Sequence, residues 1–345
     1  MAGLSAERRW RPAAGAPGRR GVPVLHNARA RALVGQLAFA VVTIVFISLV
    51  IFLAVNLDQS PTDVALQAIG RGASRSALSA YVASHHLADP VLARYVRWLR
   101  DFVSGNWGVS AVTRAAVRPA VAPRLLRTFL LAAVSMAIAL PISLALGVAL
   151  ARRYGGRTDT AVNLLLVVVS AMPEFVVGIV VLLVLSVWLG VLPPNSTALT
   201  FGGLGAKVQA FVMPTLTLVL VSIPYMTRVT RVAAREALLS GYARAATLRG
   251  VSRRAVTWRH AMRNAAVPIA NAVALNFIYL LGGVIVVENL FGFPGAGEAL
   301  VQAIGNGDVI TVEAIGLVMA VAFVGVSVIT DLLVTYFNPK LERRS

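Results

Sequence analysis

The sequence predicts an all-α integral membrane protein with six spans, and three observations carry that reading. The chain of 345 residues is 58% hydrophobic, with a mean hydropathy of +0.78. Only 13% of its residues are charged, where a soluble domain of this size carries about 25%. The apolar residues are gathered into long runs bounded by charges.

Those runs give the elements in order. Arg31 to Asp58 encloses 26 uncharged residues, Arg127 to Arg152 encloses 24, and Lys207 to Arg228 encloses 20. Arg263 to Glu288 encloses 24, and Glu313 to Asp331 encloses 17 before the apolar pattern continues to Phe337. A further run, Thr160 to Leu192, is interrupted once, by Glu174. A crossing helix needs about 20 apolar residues. Unpaired backbone amides in lipid cost several kcal/mol each, so the crossings must be helical. Pro141, Pro173, Pro214, Pro224 and Pro268 should kink or bound them. The first run is too long for a cleaved signal peptide and reads as an anchor.

Basic residues orient the chain. With the N-terminus cytoplasmic, 22 of the 32 Lys and Arg fall on that side, and the remainder lie mostly in a segment too long for the positive-inside rule. Both termini are therefore expected to be cytoplasmic. The net charge of +18 is then topological, and nucleic acid is not expected as a partner. The organisation follows: a disordered basic tail over 1–31 able to touch anionic lipid, a first span over 32–57, and an extracytoplasmic loop or cap over 58–124. A core of five spans over 125–337 contains a cytoplasmic loop at 228–263, and a short tail covers 338–345. Within the cap, Tyr95, Leu99 and Phe102 recur at helical spacing opposite Arg94, Arg97 and Asp101, which predicts an amphipathic helix. The segment 291–309 pairs a Pro-Gly-rich turn, FGFPGAG, with a short helical run, EALVQAIG.

Catalytic and metal constellations are missing from the pattern. Cysteine is absent, which removes thiolate ligands and thiol nucleophiles. The four histidines, His26, His85, His86 and His260, form no H-E-x-x-H spacing. The adjacent pair His85-His86 reads as solvated or, less often, as metal-binding. A phosphate-cradling G-x-x-x-x-G-K-[ST] loop needs a lysine followed by Ser or Thr, whereas Lys207 precedes Val208 and Lys340 precedes Leu341. ATP-driven work would require another chain. No cofactor and no catalytic residue are expected here.

The segment 242–268, YARAATLRGVSRRAVTWRHAMRNAAVP, stands between two membrane-length runs and is strongly basic. Its R-A-A at 244–246 followed by Gly250 resembles the EAA loop of ABC importer permeases. GVSRRAVTWRHAMRNAAVP at 250–268 is similar to the peptide-importer branch. DPVLARYVRWL (89–99) with GNWGVS (105–110), SAMPEFVVG (170–178), VVENLFGFPGAGEALVQAI (286–304) and TDLLVTYFNPKLERR (330–344) add further matches in order. The long segment after the first span looks like the B-type subunit of a dipeptide/oligopeptide permease. Two departures stand out. Arg244 replaces the acidic residue that opens the motif in many importers, and DQSPTD (58–63) replaces the usual P-G-D-P.

The resemblance implies the six-helix type I importer permease fold in the bacterial cytoplasmic (inner) membrane. It also implies a second homologous permease, two ATP-binding subunits carrying ATP and Mg, and an extracytoplasmic substrate-binding protein. Tyr242, Arg244, Ala245, Ala246, Leu248, Arg249 and Gly250 would dock the ATPase. A helix from about Ala234 to Arg249 would end at Gly250, with Ser252 capping a second one. Substrate would be a short peptide; related systems carry nickel, haem or other solutes. An ion-coupled carrier would instead want more acidic or histidine groups in the spans, and paired repeats.

Polar groups within the spans are few. Glu174, mid-span beside Pro173, reads either as a lining residue of the translocation path or as a structural hydrogen-bonding group. Asn271 and Asn276 are placed on the path or between helices. Glu288, Pro294, Gly295 and Asp331 read as structural and orienting.

Overall fold

The computed structural model describes residues 24–56, 60–70 and 72–337, and they are helical apart from connecting turns and one isolated β-bridge, Val109 to Ala116. The chain divides into two units, Met1–Phe39 and Ala40–Ser345. The described part of the first is the opening of α1 (Val24–Asn56). Residues 24–31, expected in the disordered tail, are helical: Ala28, Arg29, Ala30 and Arg31 are strong helix formers, and Pro23 stands immediately before the first turn. The tail readings for 1–23 and 338–345, and positions 58–59 of DQSPTD, lie outside the described residues.

In the second unit, α2 (Pro61–Ile69), α3 (Arg75–Ser84) and α4 (Val91–Val103) build the segment after the anchor. Ser60 opens α2 with a capping box, its Oγ accepting from Asp63 N at 3.1 Å and its own N–H reaching the Asp63 carboxylate. The amphipathic reading of α4 holds for Tyr95, which is buried. Its ring meets Phe52 edge-on at 5.7 Å and its hydroxyl lies 2.7 Å from Ser48 Oγ. Arg94 departs from the expected polar face. It donates to Asn56 Oδ1 at 2.8 Å, and Asn56 donates to the buried Glu313. The cluster gives a buried carboxylate its donor, as burial demands.

The long helices follow. They are α5 (Val117–Arg152), α6 (Arg157–Ala171), α7 (Glu174–Leu182, continued by a π-helical turn to Trp188) and the short α8 (Ala198–Phe201). Then come α9 (Leu204–Leu239), α10 (Gly241–Leu248), α11 (Arg253–Ala255, extended by a π-helical turn to Ala261), α12 (Met262–Phe291), α13 (Ala296–Gly305) and α14 (Val309–Phe337). Among the described residues five helices are long and apolar enough to cross a membrane, and the bent pair α6–α7 makes a sixth crossing if counted as one. The bend is 102°. Proline forces it: Pro173 lacks an N–H and drives Met172 into an extended conformation (φ −85°, ψ 130°), which ends α6.

Helix α9 is the central element, packed on α5, α12, α7 and α6. Apolar surface gains little from leaving lipid, so close approach and hydrogen bonding must hold such helices. A Cβ on Gly147 of α5 would fall 2.6 Å from Thr230 Cβ of α9, which shows how near the two backbones run. Leu131, Leu218, Leu280, Leu281, Val284 and Phe291 lie in the main buried cluster.

Candidate functional site

Two features carry chemistry: the turn that leads into α12, and a cavity at its middle. The turn begins where α9 stops. The single helix expected over 234–249 is broken at Ser240 (φ −64°, ψ 154°), whose Oγ donates back to Ala237 O at 2.6 Å and closes α9. Ser-Gly at 240–241 supplies the breaker. The segment 228–263 is accordingly helical through most of its length rather than a loop.

Helix α10 ends in a Schellman motif. Gly250 takes φ +81°, its N–H reaches Thr247 O at 3.0 Å, and Val251 N–H reaches Ala246 O at 3.2 Å. Val251 packs with Ala243, Ala246 and Val256 in a four-residue apolar cluster, the side-chain contact that usually accompanies the motif. Ser252 Oγ then accepts from Ala255 N, capping the returning helix as expected. The small pair divides its labour: Ala246 is buried and Ala245 exposed. Arg244, Thr247, Arg249 and Gly250 are exposed, Tyr242 is 41% exposed, and Leu248 is 89% exposed.

This turn is tied to the helices around it. Arg152 at the end of α5 donates to Thr257 Oγ1 at 3.0 Å. At the start of α6, Asp159 accepts two hydrogen bonds at 2.6 Å from Arg231 of α9, plus one from Gly155 N–H at 2.9 Å. The guanidinium of Arg231 stacks over Tyr154 at 4.4 Å, and that of Arg235 does so at 4.9 Å. Sequence reading missed this bidentate pair, because 72 residues separate its partners. The only signal was a lone acid in a strongly basic stretch.

At the other end of α12, Glu288 is fully buried. Its carboxylate accepts from Thr128 Oγ1 at 2.6 Å, Gly297 N–H at 2.7 Å and Glu298 N–H at 3.2 Å, so it caps the first turn of α13. Thr128 Oγ1 in turn accepts from Ala296 N–H at 2.8 Å, and Arg127 holds Pro294 O at 3.2 Å. A Cβ on Gly295 would fall 2.2 Å from Glu288 Cδ, so only glycine fits. Asp331 lies near the end of α14, on an exposed position.

The cavity lies where α6 ends against α9 and α12. It measures about 340 Å³, and its polar wall consists of Ser170, Tyr225, Arg228, Asn276 and Tyr279. Asn276 is 3% exposed and its Nδ2 has no hydrogen-bond partner. Glu174 borders this region. It opens α7, where the helix N-terminus favours a negative charge, and its Oε2 accepts from Tyr279 OH at 3.0 Å. Asn271 is exposed and does not line the cavity. Arg228 and Tyr279 were not singled out from sequence, although Tyr279 follows Asn276 at the i+3 spacing of a shared helix face.

Among the described residues no three His, Asp or Glu side chains gather where they could hold a metal ion. His85 stacks on Tyr81 at 3.9 Å, and His86 lies 3.8 Å from Asp89.

Comparison with known proteins gives this geometry its context. Residues 143–343 match the family model described as binding-protein-dependent transport system inner membrane component. The chain is 28% identical over 312 residues to the probable peptide ABC transporter permease protein y4tP of Sinorhizobium fredii, covering 90% of this chain and 98% of that one. It is 30% identical over 300 residues to the glutathione transport system permease protein GsiC of Salmonella paratyphi A, with 87% and 95% covered. The Pectobacterium atrosepticum protein of the same name is 30% identical over 301 residues.

Proposed function

Since the chain belongs to the family of binding-protein-dependent transport system inner membrane components, the permeases of ABC importers, we propose that its cargo is a short peptide and that α10 is where an ATPase subunit docks. A permease of this kind is not catalytic by itself and works with ATPase and substrate-binding partners. The relatives, a probable peptide permease and glutathione permeases, favour peptide cargo over nickel or haem. The full importer pairs this chain with a second homologous permease and two ATP-binding subunits that carry ATP and Mg. Both termini face the cytoplasm, and the binding protein delivers cargo to the opposite side, where α2–α4 and α13 lie.

The observation that supports docking at α10 is Leu248, a large apolar side chain 89% exposed on a turn whose Ala243 and Ala246 are tucked inward. It stands on the same short helix as the exposed Arg244 and next to the exposed Arg249, so a partner that covers this turn would bury it. Closure of the ATPases would move α10 as one piece, since the Schellman turn and its apolar cluster stiffen it. The displacement would pass to α5 through Arg152–Thr257 and to α12 directly. Glu174 and Asn276 would then border the path that opens, with Asn271 further along α12.

Leu248→Asp tests this in the reconstituted importer. The variant should insert and fold normally, fail to retain the ATPase subunits on purification, and lose substrate-stimulated ATP hydrolysis by about tenfold or more, as for a buried interface anchor. Normal retention and stimulation would refute docking at α10.

A further inference from the structure

The cavity between α6, α9 and α12 contains donors without acceptors. Asn276 Nδ2 is sealed from solvent and unpaired. A buried amide left in that state costs free energy, and a native chain that keeps one calls for an explanation in what occupies the site. Arg228 lines the same space. Its Nε donates to Pro224 O at 3.3 Å, and no carboxylate pairs with it among the described residues. A guanidinium at the end of an apolar span, turned toward neighbouring helices, normally faces a partner or a solute path. Tyr225 adds a hydroxyl, whereas Ser170 Oγ already donates to Val167 O at 2.9 Å. The Tyr279 hydroxyl is already spent on Glu174. What complements a guanidinium and an amide N–H together is an anion with two acceptor oxygens.

We propose that this cavity is a carboxylate-binding subsite of the translocation path, in which Arg228 supplies the charge and the Asn276 amide, turned so that Nδ2 faces the cavity, a second donor to the terminal carboxylate of the passing peptide. Glu174, held at the N-terminus of α7 beside Tyr279, offers the opposite charge at its edge, which suits a zwitterionic cargo. The proposal rests on the peptide reading above and deepens it. It turns a general passage into a site that prefers a free acid to its amide.

The test compares uptake of trialanine and trialanine amide by proteoliposomes containing the complete importer and its binding protein. Preferences of the binding protein are common to all variants, so the change in the acid-to-amide ratio reports the permease alone. Arg228→Gln should lower uptake of the acid about 10-fold to 100-fold, the range for a hydrogen bond to a charged group, with the amide unaffected. Arg228→Lys should recover part of the loss. Asn276→Leu removes a buried unpaired group and should fold at least as well as the parent, yet lower acid uptake several-fold with the amide unchanged. Equal loss for both substrates in these variants, with the parent transporting trialanine, overturns the subsite alone. Failure of the parent complex to take up either form overturns the peptide reading and the subsite with it.

Discussion

Helix α12 is entered and left through turns of opposite character. Each is built on a glycine with positive φ, Gly250 at +81° and Gly292 at +55°. The exit turn closes around Glu288, and its polar groups are satisfied by the chain's own atoms: Thr128, Gly297, Glu298 and Arg127 all point inward. The entry turn buries Ala243, Ala246, Val256 and Thr257 and leaves Leu248 uncovered. Self-satisfied groups make a turn part of the scaffold, and substitutions there are paid for in stability. Uncovered groups make a turn available to another chain, and substitutions there should change what binds.

The largest effect should come from the exit turn. A valine at 295 drives its Cβ into Glu288, which has Thr128 on one side and the α13 backbone on the other. Overpacking of that kind costs about 1–3 kcal/mol or more, on top of the broken cap. Gly295→Val should therefore abolish accumulation of folded protein in the membrane, measured by size-exclusion profile and thermal unfolding in detergent. Glu288→Ala should lose about 3 kcal/mol by stranding two backbone N–H groups and a hydroxyl, and Glu288→Gln less. An unchanged unfolding midpoint for Gly295→Val would break the contrast at its firmer side.

A second prediction sharpens the comparison by showing that the entry end is not uniformly free. Arg231 and Asp159 join α9 to α6 within that end, and Asp159 is 2% exposed. Arg231→Ala takes the cation from Asp159. It should destabilise the fold by less than the loss expected for a deeply buried pair, since water reaches the carboxylate once the guanidinium is gone. Adding Asp159→Asn should restore much of that loss, giving a double-mutant coupling energy of about 1–3 kcal/mol. Additive losses would mean that the pair contributes nothing beyond packing.

These contrasts also mark what the sequence could reveal. Runs between charges located every long helix, because lipid admits few alternatives to a continuous apolar helix. Pro173 announced the bend, Gly250 and Ser252 the turn, and FGFPGAG the short helix behind it, since each acts through local backbone geometry. The arrangement of Asn276 with Arg228, of Thr128 with Glu288 and of Asp159 with Arg231 depends on which faces of distant helices meet, and no spacing encodes that. Arg228 was counted among topological charges, and only packing against α12 separates it from them. Ser240 was read through as helix because Ala and Leu around it are strong formers, and its hydroxyl prevailed by bonding Ala237 O.

The smallest effect expected is at Gly250, and it is the most discriminating. Nothing lies within 4 Å of a Cβ built there, so space is no obstacle and only the backbone conformation at φ +81° resists substitution. A β-branched residue in that region costs about 1–3 kcal/mol, whereas asparagine tolerates left-handed geometry at lower cost. The strain falls on a turn whose opening leaves the buried exit cluster untouched. Gly250→Val should therefore unfold at nearly the parent temperature while substrate-stimulated ATP hydrolysis drops several-fold, and Gly250→Asn should stay close to the parent in both. If valine and asparagine impair stimulation equally, any side chain at this position obstructs the partner, and the turn acts by contact. If only valine impairs it, the rigid left-handed turn is what transmits the movement.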